Sequence, residues 1–388
     1  MYLTKQEERM LDGEHGWANE IAMKILVRLG DLFGATKLIP VQSAHLSGVS
    51  YKHLGDAAID FLDELAKEGG RAHTAASLNP SSLDQKYLKK RYSHQRFAKQ
   101  ERIIRLYQKM LIQPTLTCTP YYLQEPRQGQ HLAWAESSAV VYANSVLKSW
   151  TNREGAPSAL AAALVGKTPD YGVHQPENRQ PSVLVKLETR LQTEADYGAL
   201  GIHLGKLLKD KIPAIKGLRG SEDELKQLGA GMASSGVTTL FQTEAPSKKE
   251  KLETLTVEAH NIEKTTSSLC TTDKDPDLVF VGCPHCSVNE VKNVAEALRG
   301  KKMRKDTELW VCTSRHVRKK TKGYVNEIER AGGHVLCDTC VLVTWIKDIG
   351  VDTLMTNSAK TAFYSPTLNE VDVILRPLNE CLKAVSKG

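Results

Sequence analysis

The last third of the chain alternates short apolar runs with amphipathic segments. Helical patterns cover 287–299, 315–331 and 341–348. Because strand–helix alternation at this spacing is typical of parallel sheets, it predicts an α/β fold. Ligands of such sheets gather at the carboxyl ends of the strands. The apolar runs, which predict buried strands, are 278–281, 309–312, 335–336 and 353–355.

The first two thirds of the chain repeat this alternation less clearly. Thr4 to Glu7 fit a capping box, which predicts an opening helix. Residues 43–51 predict a polar loop, and the charged stretch 244–251 predicts a linker. We divide the chain into α/β segments 1–112, 113–270 and 271–388. The other predicted elements are strands at 35–41, 72–78, 114–117, 131–135, 181–189 and 236–243, and helices at 17–30, 56–67, 85–111 (a pair), 156–165, 194–209 and 221–232.

Composition is that of an ordinary globular protein. Of the 388 residues, 41% are hydrophobic and 25% are charged, close to the average for soluble domains. No apolar run is long enough to span a bilayer, and the first residues lack the apolar core of a signal peptide. We therefore expect a cytoplasmic protein without a membrane partner.

The net charge of +7 is spread along the chain. The densest basic stretches, 301–305 and 315–322, could bind nucleic acid or form solvated helix faces. We favour the solvated faces, so we expect no nucleic-acid partner, and positive charge would instead attract an anionic small molecule. The sequence contains no Walker A motif, no GxGxxG fingerprint and no GxSxG elbow.

The cysteines carry the strongest chemical signal. Disulfides are not expected in a cytosolic chain of this size. Cys283–Cys286 and Cys337–Cys340 form two CxxC pairs, which permit a zinc site, a redox dithiol, buried core thiols or an iron–sulfur site. The 50 residues between the pairs (287–336) are too many for an ordinary zinc ribbon. The eight cysteines are Cys118, Cys270, Cys283, Cys286, Cys312, Cys337, Cys340 and Cys381.

An iron–sulfur site would use one cysteine from each pair and a third from elsewhere. Cys118, Cys283 and Cys340 each follow a predicted strand. Clusters are usually held by four thiolates; with three, one iron stays open as a Lewis acid. Spacing alone does not select Cys118 over the remaining cysteines, and a binding module stabilised by zinc stays open as an alternative.

Polar segments after other predicted strands are candidate anion sites. The segment from His45 to Ser50 could bind a phosphate or carboxylate through backbone N–H groups, or simply connect a strand to a helix. Glu136 and Ser137 stand where a helix cap is equally expected.

Taken together, these segments resemble the aconitase X family over residues 43–364. They include Gly166-Lys-Thr-Pro169 and Asn357-Ser-Ala-Lys360. Such a series in the same order is far more specific than one motif. The other matching stretches are 43–51, Leu78-Asn-Pro80 with Asp84, Cys118-Thr-Pro-Tyr121, Glu136-Ser-Ser-Ala139, Thr151 to Gly155, Ala233 to Gly236, Gly282-Cys-Pro-His285 and Asp338-Thr-Cys340.

The resemblance implies aconitase-like α/β domains arranged around a central iron–sulfur cleft. Cys118, Cys283 and Cys340 match the family's ligands, and a [4Fe–4S] cluster is favoured over [2Fe–2S]. Cys286 and Cys337 are extra to that pattern. The positions that match the family's substrate cleft are His45, Gly48, Val49, Ser50, Asn79, Pro80, Glu136, Ser137 and Lys360.

The resemblance also implies a dehydratase with a partner. Some members convert (R)-5-phosphomevalonate into trans-anhydromevalonate 5-phosphate and water, in isoprenoid synthesis by the mevalonate pathway, and others dehydrate cis-3-hydroxy-L-proline. Because the chain ends at Gly388, without room for a small swivelling domain, we expect the first reaction and a separate small subunit in a heterodimer. That subunit would supply the catalytic serine base, so no catalytic residue is assigned in this chain.

Overall fold

The computed structural model describes residues 1–84, 86–244 and 252–387. The chain divides into two compact units. The first combines Met1–Ser82 with Tyr92–Gln180, and the second combines Leu83–Arg91 with Pro181–Gly388. The predicted linker 244–251 lies outside the described residues except for Glu244. The three predicted segments stay a prediction, and the unit boundary at residue 180 falls inside the middle one.

The first unit surrounds a small parallel sheet with helices. Its elements are α1 (Lys5–Leu11), α2 (Trp17–Leu32), β1 (Leu38–Pro40), β2 (Ser43–Leu46), α3 (Tyr51–Lys67), β3 (Ala75–Leu78), α4 (His94–Lys109), β4 (Ala133–Trp134), α5 (Ser137–Ser145), α6 (Ala156–Val165) and β5 (Lys167–Pro169). The parallel strands stand in the order β3-β2-β4, while β1 pairs antiparallel with β5.

Local sequence explains how this unit begins and where its core lies. The Thr4 hydroxyl accepts from the Glu7 backbone N–H while the Glu7 carboxylate accepts from that of Thr4, so the predicted capping box is confirmed. Ala44 and Leu46 on β2 are buried, and α6 packs against this strand. Alternate residues face opposite sides of a strand, so His45 points to the other face.

Three predictions for the first unit are wrong. Residues 43–46 form strand β2 rather than a loop, because pairing with β3 on one side and β4 on the other encloses the polar His45. Residues 114–117 form no strand; Gln113 makes a single bridge to Ser77. The described part of the predicted helix pair, residues 86–111, holds one helix, α4, and its 3-10 turn at Leu88–Lys90 belongs to the second unit.

The second unit contains two parallel sheets. Its elements are β6 (Val183–Leu187), α7 (Glu194–Leu208), β7 (Pro213–Lys216), α8 (Glu222–Ser235), β8 (Glu253–Val257), α9 (Ala259–Ser268), β9 (Leu278–Cys286), α10 (Val288–Leu298), β10 (Glu308–Thr313), α11 (Arg315–Lys320), α12 (Lys322–Ala331), β11 (His334–Leu336), β12 (Thr353–Thr356), α13 (Ala359–Leu368), β13 (Asp372–Leu375) and α14 (Leu378–Val385). The strand orders are β7-β6-β8 and β11-β10-β9-β12-β13, all parallel. The predicted α/β class is thus confirmed.

Helices α7 and α8 approach each other through glycines. A Cβ on Gly231 would lie 2.4 Å from the carbonyl oxygen of Gly198, and one on Gly201 would lie 2.3 Å from that of Leu228. Both distances are shorter than any tolerable contact, so only glycine allows this spacing.

Three predictions for the second unit also need correction. Residues 236–243 form no strand, since only Gln242 makes a bridge. The helix predicted over 341–348 is replaced by 3-10 turns at Val341–Val343 and Lys347–Ile349. The helix predicted over 315–331 is divided into α11 and α12 at Thr321, whose hydroxyl bonds back to the Val317 carbonyl.

Candidate functional site

The sequence predicted that Cys283 follows a strand, but the structure places it inside the central strand β9. Pairing with β12 ends at Phe280, and pairing with β10 shifts register between Val311 and Thr313. Gly282 at the shift has a φ of 114°, and a Cβ there would lie 2.2 Å from the Cys312 carbonyl oxygen. Pairing with β10 thus continues beyond the apolar run 278–281. Cys283 therefore lies in a buried stretch of irregular strand backbone.

Cys340 follows β11 on a buried turn. Asp338 begins this turn with a φ of 71°, and the Arg315 guanidinium donates to its carboxylate at 2.6 Å. Burial, followed by the nearby Cys283 thiol, raises the pKa of Cys340 to about 12. The second unit therefore brings Cys283 near Cys340, whose thiol is protonated at neutral pH.

Cys286, Cys312 and Cys337 of the second unit are also buried thiols. Burial raises the pKa of Cys337 to about 12, and it raises the pKa values of Cys286 and Cys312 well above the ordinary range. A thiolate in such surroundings needs a cation or a metal to stabilise it. None of the eight cysteines, all of which lie in the described residues, forms a disulfide.

Unsatisfied polar atoms accompany Cys340 and Lys360. Three buried oxygens beside these two residues in the sequence have no hydrogen-bond partner among the described residues, namely Thr339 Oγ1, Asn357 Oδ1 and Thr361 Oγ1. The charge of buried Lys360 lowers the pKa of Cys340 against the effect of burial, so Lys360 lies near this thiol. Buried polar atoms normally have partners, so these fit a site that receives a polar group.

Thiols such as those of Cys283 and Cys340 are the donor type that holds iron–sulfur clusters. Among the described residues, no three His, Cys, Asp or Glu side chains are grouped as ligands of one metal ion. An iron–sulfur cluster carries bridging sulfides of its own, so its thiolates stand farther apart than the ligands of one ion. The buried thiols of Cys283 and Cys340, which are near enough to influence each other's charge, fit the second unit's share of such a ligand set.

In the first unit, His45 is the centre of a buried polar group at the carboxyl end of the sheet. It is 0% exposed, and burial lowers its pKa to about 4, so the ring is neutral. Nδ1 lies 2.7 Å from the Ser77 hydroxyl, and Nε2 lies 3.1 Å from the Asn79 side-chain oxygen. Since that oxygen only accepts, Nε2 carries the proton and the serine hydroxyl donates to Nδ1.

Asn79 joins His45 to Glu136. Its amide nitrogen donates to Glu136 Oε2 at 2.7 Å, and Ser138 donates to Oε1 through its hydroxyl at 2.7 Å and its backbone at 3.3 Å. Glu136 is the N-cap of α5, whose first residue is the half-buried Ser137. The buried carboxylate is thus held by three donors and faces a neutral imidazole across one amide.

The segment Gly48 to Ser50 is fixed from inside the unit. Tyr107 donates to the Gly48 carbonyl at 2.9 Å, and Gln100 donates to the Val49 carbonyl at 2.9 Å. Gly48 has a φ of 76°, and a Cβ there would lie 2.8 Å from that of Ala156. Ser50 Oγ lies 2.6 Å from Ser82 Oγ. The loop is therefore rigid, as a preformed binding loop needs to be.

Cys118 belongs to the same end of the first unit. Its neighbour Thr117 donates from the backbone to the Leu78 carbonyl at 2.9 Å, and the His45 ring also contacts the backbone of Thr117. Both Cys118 and Pro80 are buried. Thus the first unit gathers Cys118, His45, Asn79 and Glu136, whereas the second gathers Cys283, Cys340 and Lys360.

The sequence did not reveal several polar neighbours. Ser77 lies opposite His45 in the parallel register, a pairing that only the fold supplies. Thr339 precedes Cys340 and Thr361 follows Lys360. This adjacency in sequence was the one signal that could have pointed to the two threonines.

The fold is that of an α/β protein with several buried thiols, and comparison with known proteins assigns its family. The aconitase X first-domain model matches residues 1–177, the second-domain model 181–267 and the third-domain model 276–387. The chain belongs to the aconitase X family. The prediction of a dehydratase of this family is confirmed, because its curated relatives are dehydratases.

Similar proteins cover nearly the whole chain. The phosphomevalonate dehydratase large subunit of Methanocaldococcus jannaschii is 43% identical over 403 residues, covering 99% of this chain and 100% of that protein. The cis-3-hydroxy-L-proline dehydratase of Pseudomonas aeruginosa is 33% identical over 404 residues, covering 98% of this chain but 69% of that protein. The crystal structure of Thermococcus kodakaraensis aconitase X in its holo-form superposes with a TM-score of 0.93 at 42% identity, covering 99% and 100% of the two chains. None of the helices in the described residues has the length and apolar character needed to cross a membrane.

Proposed function

We propose that this chain is the large subunit of a phosphomevalonate dehydratase, which converts (R)-5-phosphomevalonate into trans-anhydromevalonate 5-phosphate and water. The observation that carries the proposal is full-length similarity to relatives of that name, at 43% identity over 99% of the chain for one of them. The hydroxyproline dehydratases are 31% and 33% identical and extend beyond this chain.

The proposed cofactor is an iron–sulfur cluster held by Cys118, Cys283 and Cys340, with [4Fe–4S] favoured over [2Fe–2S]. The proximity of Cys283 to Cys340 and the unsatisfied oxygens near Cys340 support it. When bound, a cluster with one open iron supplies a Lewis acid for the departing hydroxyl. The chain's part is to supply thiolates in surroundings where a bare thiolate would be costly.

Dehydration removes a hydroxyl from C3 and a proton from C2, which leave as water. The neutral His45 and the buried Glu136, linked by Asn79, would hold the reacting end through fixed hydrogen bonds. The rigid loop Gly48 to Ser50 would orient the remainder of the substrate. Lys360, which is positively charged and buried, would attract an anionic group of the substrate.

A separate small subunit is the proposed partner. The similar archaeal proteins are named large subunits, which implies a second chain. We propose that this chain works as a heterodimer in the cytoplasm and that the base comes from the small subunit. The large subunit alone should then bind substrate without turning it over.

The test compares two substrates. Large and small subunits are co-expressed, purified without oxygen and assayed on (R)-5-phosphomevalonate and on cis-3-hydroxy-L-proline. We expect turnover of the first and none of the second. Turnover of hydroxyproline alone would move the substrate assignment to the other branch of the family. Zinc in place of iron and sulfide in the same preparation would contradict the cofactor.

A further inference from the structure

Helix α8 carries a lysine that is completely enclosed. Lys226 is 1% exposed, and its ammonium group forms ion pairs with Asp223 at 3.4 Å and, more closely, with Glu290 at the start of α10. A lysine is rarely buried unless paired, and apolar residues would often stabilise such a position as well or better. This arrangement therefore points to a role other than bulk stability.

The three charged groups hold the segment that follows Cys283. Lys226 Nζ donates to the His285 carbonyl at 3.4 Å, and Glu290 accepts from the Ser287 backbone N–H at 2.8 Å. The Ser287 hydroxyl donates to Asp223 at 2.9 Å. The three charged side chains thus hold residues 285 and 287 from one side.

The His285 ring contacts the segment that carries Cys340. It is 0% exposed, and Nε2 lies 2.9 Å from the Thr339 carbonyl oxygen. Because a carbonyl only accepts, Nε2 carries the proton and donates. His285 comes two residues after Cys283, and Thr339 immediately precedes Cys340. One imidazole therefore ties the two cysteine segments of the second unit together.

We propose that His285, held at its carbonyl by Lys226, is a positioning residue that fixes the Cys283 segment against the Cys340 segment. This inference rests on the proposed cluster function, since it concerns two of its thiolates. Residues that hydrogen-bond to the ligands of a metal set the orientation of those ligands. Losing such a residue typically weakens metal binding by about 10- to 100-fold. Without the tie, either thiol can move away from the geometry that the cluster requires.

The main test is a matched pair of variants. His285→Gln keeps an N–H donor at the place of Nε2, whereas His285→Met has a similar length and no donor. Anaerobically reconstituted protein is exposed to air, and the loss of visible cluster absorbance is timed, with iron and sulfide per chain measured at the start. We expect loss about 10-fold faster in His285→Met and near wild-type behaviour in His285→Gln.

A second pair tests the anchor. Lys226→Met leaves Glu290 buried without its cation, which is expected to hinder folding. The double variant Lys226→Met with Glu290→Gln removes both charges and keeps an acceptor for Ser287. We expect this double variant to fold and to lose its cluster faster than wild type, as His285→Met does.

Val325→Ala is the control for general destabilisation, because it truncates a buried side chain of α12 in the same unit. Its apoprotein melting temperature should fall without faster cluster loss. Equal cluster lifetimes in wild type and His285→Met, or equally short ones in His285→Met, His285→Gln and Val325→Ala, would overturn the inference. Wild type that takes up no iron and sulfide would instead overturn the proposed function.

Discussion

At the scale of single residues, the molecule keeps a neutral histidine where many enzymes keep a charged one. His45 lies on strand β2, where residues on both faces are buried. One ring nitrogen contacts the Ser77 hydroxyl and the other contacts the Asn79 side-chain oxygen. Neither partner carries a charge, and Glu136 stands one residue farther away. The cost of burying a charge therefore decides its protonation.

This neutrality makes stability depend on pH. The pKa of His45 is about 4 in the folded chain against 6.5 as its reference, so the unfolded chain binds a proton that the folded one does not. Stability is lost as pH falls from about 6.5 to 4, by roughly 3 kcal/mol for this group. His45→Gln should lack this contribution. In urea unfolding of the apoprotein, the stability difference between wild type and variant should shrink as pH falls; a constant difference would contradict it.

The cysteines differ in what their loss should do. Cys340→Ser, Cys283→Ser and Cys118→Ser should each lose most of the iron and sulfide after reconstitution, because serine is a poor cluster ligand. Cys286→Ser and Cys337→Ser should keep it, which also decides the ligand in each CxxC pair. Cys381→Ser is the matched control, since this thiol is buried in α14 and bonds to the Arg376 carbonyl. Iron retained in Cys340→Ser would contradict the assignment.

At the scale of elements, periodicity predicted the helices better than the strands. Capped helices such as α7 and α8 carry local signals, namely Thr193 with Asp196 and Ser221 with Glu224. Strand β9 extends past its apolar run because pairing with β10 continues beyond the bulge at Gly282. Residues 114–117 form no strand because Leu116 has a φ of 48°, which interrupts the extended backbone, although Thr117 still donates to the Leu78 carbonyl. The segment that begins at Ser43 was predicted as a loop, although its first four residues form strand β2.

The contact between α7 and α8 offers a test of packing. Gly231→Ala would place a methyl group 2.4 Å from the Gly198 carbonyl oxygen, so the helices must separate, at a cost of about 1–3 kcal/mol. Gly323→Ala on α12 is the matched control, since nothing lies within 4 Å of its added Cβ; it should be neutral or slightly stabilising. Thermal unfolding of both variants measures the contrast, and equal melting temperatures would refute it.

At the scale of the whole molecule, the α/β class was predictable, whereas the composition of the units was not. Leu83–Arg91 belongs to the second unit although the chain around it belongs to the first. Tyr87 stacks on His334 with ring centroids 3.9 Å apart and donates to Glu308 at 2.9 Å, and Arg91 pairs with the same carboxylate. These partners are more than 200 residues away in sequence. No local sequence pattern could therefore predict that Leu83–Arg91 belongs to the second unit.

The measurement that tests the central claim most directly is the mass of the product. The co-expressed subunits, purified anaerobically and shown to contain iron and sulfide, are incubated with (R)-5-phosphomevalonate and analysed by mass spectrometry. The account predicts a product lighter by one water, formed by wild type and absent with Cys340→Ser. Unchanged substrate in the wild-type reaction, with the cluster intact and the partner present, would contradict it.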